Sequence, residues 1–515
     1  MKDMRKIFNI HITRISLVAL LGVSLTSCND FLDERPSKTS SLVVTTTDQL
    51  QALLDNYNTF YQEGNRTSVY STDDYEFNME IYDARPSTFS MAAVEFSLWD
   101  TEYLPDDGRE GYWSSEYKKI FTANMVLENL DKVSGPEAEK IELKAEAHFI
   151  RAYSYWNLAN TYCLPYTESN KGEMGLPIRT GTSFEQPAAR ASLEETYSLI
   201  ESDLAEALKI NVALMKNGKP KHWRANIAGV HGFAARYYLN ANNYAKALEH
   251  ANAALSEYNT LVNYNTDMRY GKDVSVPINT GQADAKTVVL KFPYTHDNQS
   301  DMTDMLGWKE FLYFRVLNHE SWWYIPSQEL LELYDKENDL RYTYHIVEGY
   351  SYDRGMVNPA YDYPGYIFFF KDRLPSGPTV AEMYLIKAEC EARTNDYATA
   401  MTTLNTLRKS RYKEGAAYEL SAANQNEAVS HILEERRREM PFTRRWTDLR
   451  RLNNNEDSSD DVEVTRTFYP YNFSSVLSNE QPKEYKLEKN SRRYAAPIPR
   501  PDITSSQGEI EQNTY

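Results

Sequence analysis

Glycine is scarce in this sequence, with 20 residues among 515, and cysteine is scarcer still, with three. Nucleotide-binding loops need closely spaced glycines, and the sequence contains no glycine-rich phosphate loop and no G-x-S-x-G or H-E-x-x-H motif. Its nine histidines are scattered, so no metal site is predicted. Cys163 and Cys390 lie within helical patterns, which favours buried apolar roles over a disulfide.

Positive charge is also in deficit, because 56 lysines and arginines face 74 aspartates and glutamates, for a formal net charge of −18. A protein that binds nucleic acid needs a basic footprint, so this balance argues against that class of partner. Seven arginines do occur within residues 436–451, but Glu434, Glu435, Glu439 and Asp448 interleave with them. We therefore predict an ion-pair network that braces a helix there.

No apolar run is as long as the roughly eighteen residues of a membrane-spanning helix. Residues 15–27 follow a basic segment and are too few to span a bilayer, which fits a signal peptide over residues 1–27. Leu25-Thr26-Ser27-Cys28 is similar to a bacterial lipobox, so we expect acyl chains on Cys28 to be the sole membrane anchor of a soluble body. A plain signal peptide with a chance cysteine is the alternative.

Regular helical spacing is present at residues 223–255. Small and aromatic side chains recur there at gaps of three and four on either side of a turn at residues 240–243. The pattern returns 153 positions downstream, at residues 376–408. Both stretches are similar to a tetratricopeptide unit, and several such units must stack to bury their apolar faces. Two further candidate helix pairs are residues 146–163 with 192–210, and residues 424–452.

We therefore predict a mostly α-helical fold. Tetratricopeptide-like hairpins would form a scaffold, interrupted by long, irregular, aromatic-rich stretches at residues 61–110 (the first insertion) and 260–377 (the second insertion). Ser192 and Glu195 have the spacing of a capping box that begins a helix. Further helices are predicted over residues 48–60, 113–131 and 327–334, and one short strand over residues 288–292.

Aromatic residues are abundant, with 39 tyrosines, 19 phenylalanines and 8 tryptophans. Tyrosine suits both helix packing and ligand binding, because it joins a flat apolar face to a polar tip. The position of an aromatic residue helps to distinguish helix packing from ligand binding, because the aromatic residues in the insertions lie outside the strong helical patterns. The ligand-binding residues predicted in this way are Trp99, Tyr103, Trp308, Tyr313 and Trp322. Packing in the core is the alternative for each of them.

Several stretches together resemble the SusD/RagB family of outer-membrane lipoproteins. The lipobox followed by CNDFLDERP resembles the start of a mature family member, and the segments with helical spacing resemble its repeats. Cys163 stands where relatives often carry glycine, which is a departure. The quoted matches are AEAHFIRAYSYWNLANTY (145–162), EMYLIKAECEARTNDYATA (382–400), ILEERRREM (432–440), RRWTDLRRL (444–452) and Pro497-Ile498-Pro499.

The resemblance implies a cell-surface protein that binds a nutrient and hands it to a TonB-dependent, SusC-like transporter in the outer membrane. Relatives bind glycans or, in some cases, peptides, so we expect an oligosaccharide or polysaccharide ligand, with a peptide as the alternative. No cofactor and no catalysis are implied. Residues 28–260 and 261–515 would form two parts of one compact body, and the two insertions would fold together to share a glycan platform.

Two other classes of function remain as alternatives. A surface glycoside hydrolase on a helical scaffold would need two carboxylates held several ångströms apart, and 74 acidic residues leave this open. The adjacent pairs Asp73-Asp74 and Asp106-Asp107 are assigned to the solvated surface. A pure assembly protein that braces the transporter is the other alternative, and the aromatic insertions argue against it.

Overall fold

The computed structural model describes residues 44–106, 111–183, 185–268, 270–293, 305–318, 324–355, 362–369 and 372–515. The signal peptide, Cys28 and Trp322 therefore lie outside the described residues. The helices are α1 Thr47–Asp55, α2 Arg66–Tyr70, α3 Met79–Ala84, α4 Met91–Leu98, α5 Tyr112–Asn129, α6 Glu137–Tyr162, α7 Leu193–Ala207, α8 Ile227–Asn240, α9 Tyr244–Glu257, α10 Gln328–Glu332, α11 Leu340–His345, α12 Tyr350–Asp353, α13 Val380–Arg393, α14 Tyr397–Lys409, α15 Gln425–Glu439, α16 Arg445–Leu452 and α17 Arg500–Ser505. The strands are β1 Gln62–Glu63, β2 Met215–Lys216, β3 Lys219–Pro220, β4 Tyr270–Ile278, β5 Lys286–Pro293, β6 Val316–Asn318, β7 Ile346–Val347, β8 Gly365–Tyr366, β9 Arg373–Pro375, β10 Val464–Phe468 and β11 Lys483–Leu487.

The amino-terminal part of the helical scaffold is built around α6, which is 26 residues long and packs against both α5 and α7. Every residue from 149 to 162 is buried, which is consistent with a helix that carries apolar side chains on all its faces. Helix α7 begins with the predicted capping box, in which the Ser192 hydroxyl accepts from the Glu195 N–H and the Glu195 carboxylate accepts from the Ser192 N–H. The predicted pairing of residues 146–163 with 192–210 is thus confirmed.

The two predicted hairpins are α8 with α9 and α13 with α14, and they use the same turn. Asn242 and Asn395 occupy equivalent positions with φ of 54° and 70°, a left-handed conformation that asparagine tolerates better than most residues. The residue after each of them, Asn243 or Asp396, caps the second helix by accepting a backbone N–H three positions on. Helix α9 packs on α13, so the hairpins stack as predicted.

The first insertion is more regular than the sequence predicted. It contains three short helices, α2, α3 and α4, of five, six and eight residues. The residues that precede these helices are Asn65, Asn78 and Ser90, and the side-chain oxygen of each accepts a hydrogen bond from a backbone N–H in the first turn. Helices this short do not repeat an apolar stripe often enough to produce a periodic signal, which is why the sequence did not indicate them.

The second insertion contains an antiparallel pair, β4 and β5, of which the sequence predicted only the central part of β5. A small sheet in the order β1–β6–β9 then joins the two insertions, with β1 parallel to β6 and β6 antiparallel to β9. One apolar core contains side chains of both insertions, so they fold together as expected. The same core includes Phe468 of β10, Tyr485 of β11 and Tyr471 from the segment between them, and this carboxy-terminal strand pair was not predicted from the sequence.

The arginine-rich segment is confirmed as an ion-pair network, but many of its acidic partners come from distant parts of the chain. Arg437 pairs with Asp74 at 2.6 Å, and Arg445 pairs with Asp73 at 2.7 Å. The assignment of Asp73 and Asp74 to the solvated surface was therefore wrong, and the Asp74 side chain is fully buried. Burial disfavours the ionised form of Asp73, yet the guanidinium groups of Arg445 and Arg437 hold the pKa of this carboxyl well below its usual range.

Cys163 and Cys390 are both buried and free of disulfides. Cys163 has an extended backbone, with φ of −121°, so the place where relatives often carry glycine requires no glycine here. In the described part of the chain, every helix is too short or too polar to span a bilayer. Among those same residues, no three histidine, cysteine or acidic side chains are grouped closely enough to hold a metal ion.

Candidate ligand-binding surface

Trp99, one of the predicted ligand-binding residues, is 4% exposed and lies in the core. It ends α4 in a left-handed conformation, with φ of 51°, which is uncommon for a bulky residue. Its indole N–H donates to the backbone oxygen of Ser71 at 3.3 Å, and its ring packs in an apolar cluster with Trp446 and Leu487. In this position the ring presents no open face to a ligand.

Trp308 and Tyr313 are buried as well, at 5% and 1% exposure. The indole of Trp308 packs edge-on against Phe368 and Phe369, at centroid distances of 5.0 and 5.7 Å. The ring of Tyr313 lies 4.6 Å from that of Phe149 on α6. Their places match the core-packing alternative, and Trp322 lies outside the described residues.

Tyr103 is the predicted residue that the structure places at the surface, where it is half-buried. Its ring lies 5.0 Å from that of Phe473 at an interplanar angle of 84°, and Phe473 is 72% exposed. The Tyr103 ring also contacts the ring of Tyr471, with the two centroids 5.8 Å apart. The Tyr471 hydroxyl donates to the Tyr103 backbone oxygen at 3.1 Å. The first insertion and the carboxy-terminal segment thus meet in an exposed aromatic pair.

A second aromatic pair joins the same two segments. Tyr82 of α3 and Tyr469 are both half-buried, and their ring centroids are 5.9 Å apart. The Tyr469 hydroxyl donates to the Asp83 carboxylate, with both oxygens at 3.1 Å. The buried Tyr485 connects the two pairs, because its hydroxyl donates to the Tyr469 backbone oxygen at 3.3 Å and its ring lies 6.5 Å from that of Tyr471. We call the four accessible side chains, Tyr82, Tyr103, Tyr469 and Phe473, the aromatic platform.

The carboxy-terminal half of the platform follows from the pairing of β10 with β11. In β10 the side chains alternate between buried and exposed, with Val464, Arg466 and Phe468 inward. This hairpin was not predicted from the sequence, and therefore neither were Tyr469 and Phe473 as ligand-binding residues. The alternation of VTRTF and KEYKL on either side of residues 469–482, a segment rich in proline, asparagine and serine, was the signal that could have revealed it.

Acidic groups surround the platform. The Asp100 carboxylate accepts from the Glu102 backbone N–H at 2.8 Å and pairs with Lys483 at 3.1 Å. A hydrogen bond to Glu102 raises the pKa of the Tyr103 phenol, and burial together with Asp83 raises that of Tyr469. The platform therefore combines neutral phenols with carboxylates that accept hydrogen bonds, an arrangement suited to a neutral, hydroxyl-rich ligand.

A groove of about 260 Å³ lies elsewhere, between α5 and the loop that precedes α7. Trp113, Tyr117 and Phe121 form its aromatic wall. Its polar side chains hold the loop itself, since the Tyr117 hydroxyl donates to the Pro177 oxygen and the Asn124 amide donates to two loop carbonyls. We prefer the platform as the candidate site because Phe473 at its edge is 72% exposed, whereas Phe121 in the wall of this groove is 36% exposed.

The chain is similar to known proteins in both sequence and fold. Residues 30–239 match a family model described as "Starch-binding associating with outer membrane", and residues 380–515 match the model of the SusD family. No curated protein sequence matches the chain.

Three solved structures illustrate the likeness of the fold. A SusD superfamily protein from Bacteroides thetaiotaomicron is 18% identical with a TM-score of 0.58, over 92% of this chain and 100% of that one. A SusD-like carbohydrate binding protein from Bacteroides vulgatus is 18% identical with a TM-score of 0.55, over 90% and 97%. A laminarin binding SusD-like protein is 16% identical with a TM-score of 0.55, over 91% and 99%. With family models matched at both ends and this fold between them, the chain belongs to the SusD/RagB family.

Proposed function

We propose that this protein is a glycan-binding lipoprotein of the cell surface, which delivers oligosaccharide to a SusC-like, TonB-dependent transporter in the outer membrane. The observation that carries the binding role is the aromatic platform, with Phe473 72% exposed at its edge. The family match supports it, as do the two structural neighbours that are named for carbohydrate or laminarin binding. Anchoring through Cys28 and delivery to a transporter rest on the lipobox and on the family.

Sugar rings have apolar C–H faces edged by hydroxyl groups, which explains how the platform would bind them. The flat rings of Tyr82, Tyr103, Tyr469 and Phe473 would cover the apolar faces. The carboxylates of Asp83 and Asp100 would accept hydrogen bonds from sugar hydroxyls at the rim. The chain carries a formal net charge of −18, so we expect neutral glycans to bind better than acidic ones.

The test is calorimetry with laminarin and starch oligosaccharides, followed by a wider panel of neutral and acidic glycans. Phe473→Ala and Tyr103→Ala should each weaken binding of the cognate glycan at least about tenfold, because binding energy concentrates in a few aromatic contacts. Ile141→Ala is the control, since Ile141 is an apolar side chain of α6 that is 54% exposed and lies outside the platform. If both platform variants bind the glycan as tightly as the wild type does, the glycan-binding site lies elsewhere on the protein.

The same samples separate a binding protein from a surface hydrolase. We expect oligosaccharides to remain intact after prolonged incubation, as seen by product chromatography. Shorter products would instead support the hydrolase, and Glu95 would then be the first carboxyl to replace, because burial raises its pKa to about 7 and Asp106 lies near enough to add to that rise.

Anchoring and delivery need separate measurements. Cys28→Ala should abolish metabolic labelling with palmitate and release the protein or trap its precursor. Purification of the wild-type protein from detergent-solubilised membranes should recover a TonB-dependent transporter. A Cys28→Ala protein that stays labelled would contradict the lipobox interpretation, and purification without a transporter would favour a protein that acts alone.

A further inference from the structure

A small pocket in the helical scaffold shares no residue with the aromatic platform or with the groove beside α5. It lies where the end of α6, the helices α7 and α8, and the end of α16 meet, and its volume is about 110 Å³. We propose that this pocket is a second binding site, which holds one ring of a neutral sugar. The side chains that carry the proposal are those of Tyr166, Tyr197, Glu201, Asn240, Asn242 and Asn454.

One wall of the pocket is a stacked aromatic pair. The rings of Tyr166 and Tyr197 have centroids 4.3 Å apart and are nearly parallel, at 10°. Tyr197 is buried, whereas Tyr166 is 40% exposed, so the buried ring holds the accessible ring in place. A flat ring that is already held gives the C–H face of a sugar an apolar surface, and little side-chain freedom is lost when the sugar binds.

Two asparagine side chains near helix ends supply hydrogen-bond acceptors. The Asn240 amide nitrogen donates to the Arg236 backbone oxygen at 2.9 Å, and the Asn454 amide nitrogen donates to the Arg450 backbone oxygen at 2.8 Å. These bonds fix each amide with its nitrogen engaged. The side-chain oxygens of Asn240 and Asn454 are unbonded among the described residues and are not fully buried, so the hydroxyl groups of a ligand can donate to them.

The turn between α8 and α9 adds a donor. The Asn242 side-chain oxygen accepts from the Tyr244 hydroxyl at 3.4 Å, which leaves the Asn242 amide nitrogen accessible to a ligand. Glu201 is exposed at the rim, where one of its carboxylate oxygens accepts from the Tyr237 hydroxyl at 2.9 Å. The pocket therefore offers both donors and acceptors, which suits hydroxyl groups because each of them can donate and accept.

The charged residues of the pocket argue against an ionic ligand. Arg451 is paired with the Glu389 carboxylate at 2.6 and 2.8 Å, and the unbonded Nε and Nη2 of Arg450 are buried, so neither guanidinium can receive an anion. The exposed Glu201 would also repel an anion. A cation would be repelled by Arg450, whose charge is opposed by no carboxylate in the described part of the chain. A neutral ligand avoids both penalties.

The volume limits how much of a glycan can enter. A pocket that encloses a drug-sized ligand has a volume of about 300–1,000 Å³, and this pocket is smaller, at about 110 Å³. It would therefore hold a single sugar ring, while the rest of a longer glycan would extend into solvent past the exposed Tyr166. This conclusion follows from the chemistry of the pocket itself and does not depend on glycan binding by the platform.

The experiment is a titration of the purified full chain, followed by ligand-observed NMR, which detects weak binding. The probes are glucose, galactose and N-acetylglucosamine, with acetate and ethylammonium as charged controls. We expect saturable binding of at least one of the sugars and of neither ion. Failure of all three sugars to bind overturns the proposal.

The titration is repeated with Phe473→Ala to separate this pocket from the aromatic platform. Binding of the monosaccharide should persist in that variant, because Phe473 lies outside the pocket. Loss of binding in Phe473→Ala would assign the signal to the platform and overturn the second site. Persistence of monosaccharide binding when the platform binds no longer glycan would support the second site and contradict only the platform.

Variants of the pocket then locate the sugar. Tyr166→Ala should weaken binding at least about tenfold, whereas Tyr166→Phe keeps the ring and should bind nearly as the wild type does. Asn242→Gly should weaken binding about threefold, since it removes a hydrogen-bond donor and glycine tolerates the φ of 54° at this position. Asn395→Gly is its matched control, at the equivalent turn of the second hairpin and outside the pocket.

Two results would contradict the location. Unchanged sugar binding by both Tyr166→Ala and Asn242→Gly overturns the proposal. Equal weakening by Asn242→Gly and Asn395→Gly would show that the loss comes from the turns, and the donor role of Asn242 would then be wrong.

Discussion

The guanidinium of Arg466 faces the indole ring of Trp99, with its central carbon 5.1 Å from the ring centroid. The same guanidinium donates to four backbone oxygens of the first insertion, those of Tyr70, Thr72, Tyr75 and Ser97, at 2.6 to 2.9 Å. One side chain of β10 therefore holds the segment that carries Tyr82 and Tyr103 against the segment that carries Tyr469 and Phe473. Burial lowers the pKa of Arg466 to about 10, so it stays charged at neutral pH.

Replacing Arg466 with methionine should destabilise the protein and disorganise the platform. Four buried carbonyl groups would lose their donor, so we expect the free energy of unfolding to fall by at least about 3 kcal/mol. Urea denaturation measures the change. Lys483→Met is the matched control on β11, because the Lys483 side chain is 49% exposed and loss of its charge should change stability by less than about 1 kcal/mol. Equal midpoints for both variants would contradict the role of Arg466.

Truncation of the buried tryptophans should lower the stability of the fold. Trp99→Ala and Trp308→Ala each remove a large core side chain, and we expect losses of about 3–5 kcal/mol in thermal or urea unfolding. Phe473→Ala is the contrast, since it should keep its stability and lose glycan affinity. Tryptophan variants that fold with unchanged stability and yet bind the glycan weakly would restore the ligand-binding role predicted from the sequence.

Packing between the helical hairpins can be tested on one helix. Ala247 of α9 is fully buried, so Ala247→Leu should overpack the contact with neighbouring helices and cost about 1–3 kcal/mol. Ala245 lies two positions earlier on the exposed face of the same helix, and Ala245→Leu should leave the unfolding midpoint nearly unchanged. A similar effect of the two substitutions would show that the interface tolerates added volume.

Stability should fall in mild acid because of a buried histidine. His222 lies beside the backbone oxygen of Leu306 at 2.6 Å, and burial lowers its pKa to about 4, whereas an unfolded histidine titrates near about 6.5. Well above pH 6.5, His222 is neutral in both the folded and the unfolded chain. As the pH falls below 6.5, His222 is protonated in the unfolded chain before it is protonated in the fold. Its contribution to the free energy of unfolding therefore declines down to about pH 4, by about 3 kcal/mol in total.

The comparison with His222→Gln isolates that contribution. The difference in unfolding free energy between wild type and variant should be constant above pH 6.5 and should shift in favour of the variant as the pH falls to 4.5. Other groups, such as Glu95 with its raised pKa, contribute equally to both proteins and cancel. A difference that does not depend on pH would show that the pKa of His222 is the same in the folded and unfolded states, which would contradict this prediction.

Much of the scaffold could be predicted from the sequence because its information is local. The gaps of three and four around residues 240–243, and their copy 153 positions later, specify helices, and the asparagines at 242 and 395 supply the left-handed turn. The capping box at Ser192 is likewise a matter of neighbouring residues. Such patterns survive in the fold because helix formation and capping depend on contacts within a few residues.

The location of the aromatic platform was decided only by the tertiary structure. Trp99 and Tyr103 are four positions apart in one insertion, yet Trp99 lies in the core and Tyr103 at the surface. The difference arises because Arg466 of β10 covers the Trp99 ring, whereas Tyr103 contacts the exposed Phe473, which follows β10 in the chain. The acidic partners of the arginines show the same dependence, since Asp73 and Asp74 meet Arg445 and Arg437 across more than 360 residues. Periodicity records which side of its own helix or strand a residue occupies. It does not indicate which distant segment of the chain packs against that side. The burial of Trp99, Asp73 and Asp74 depends on such a distant segment.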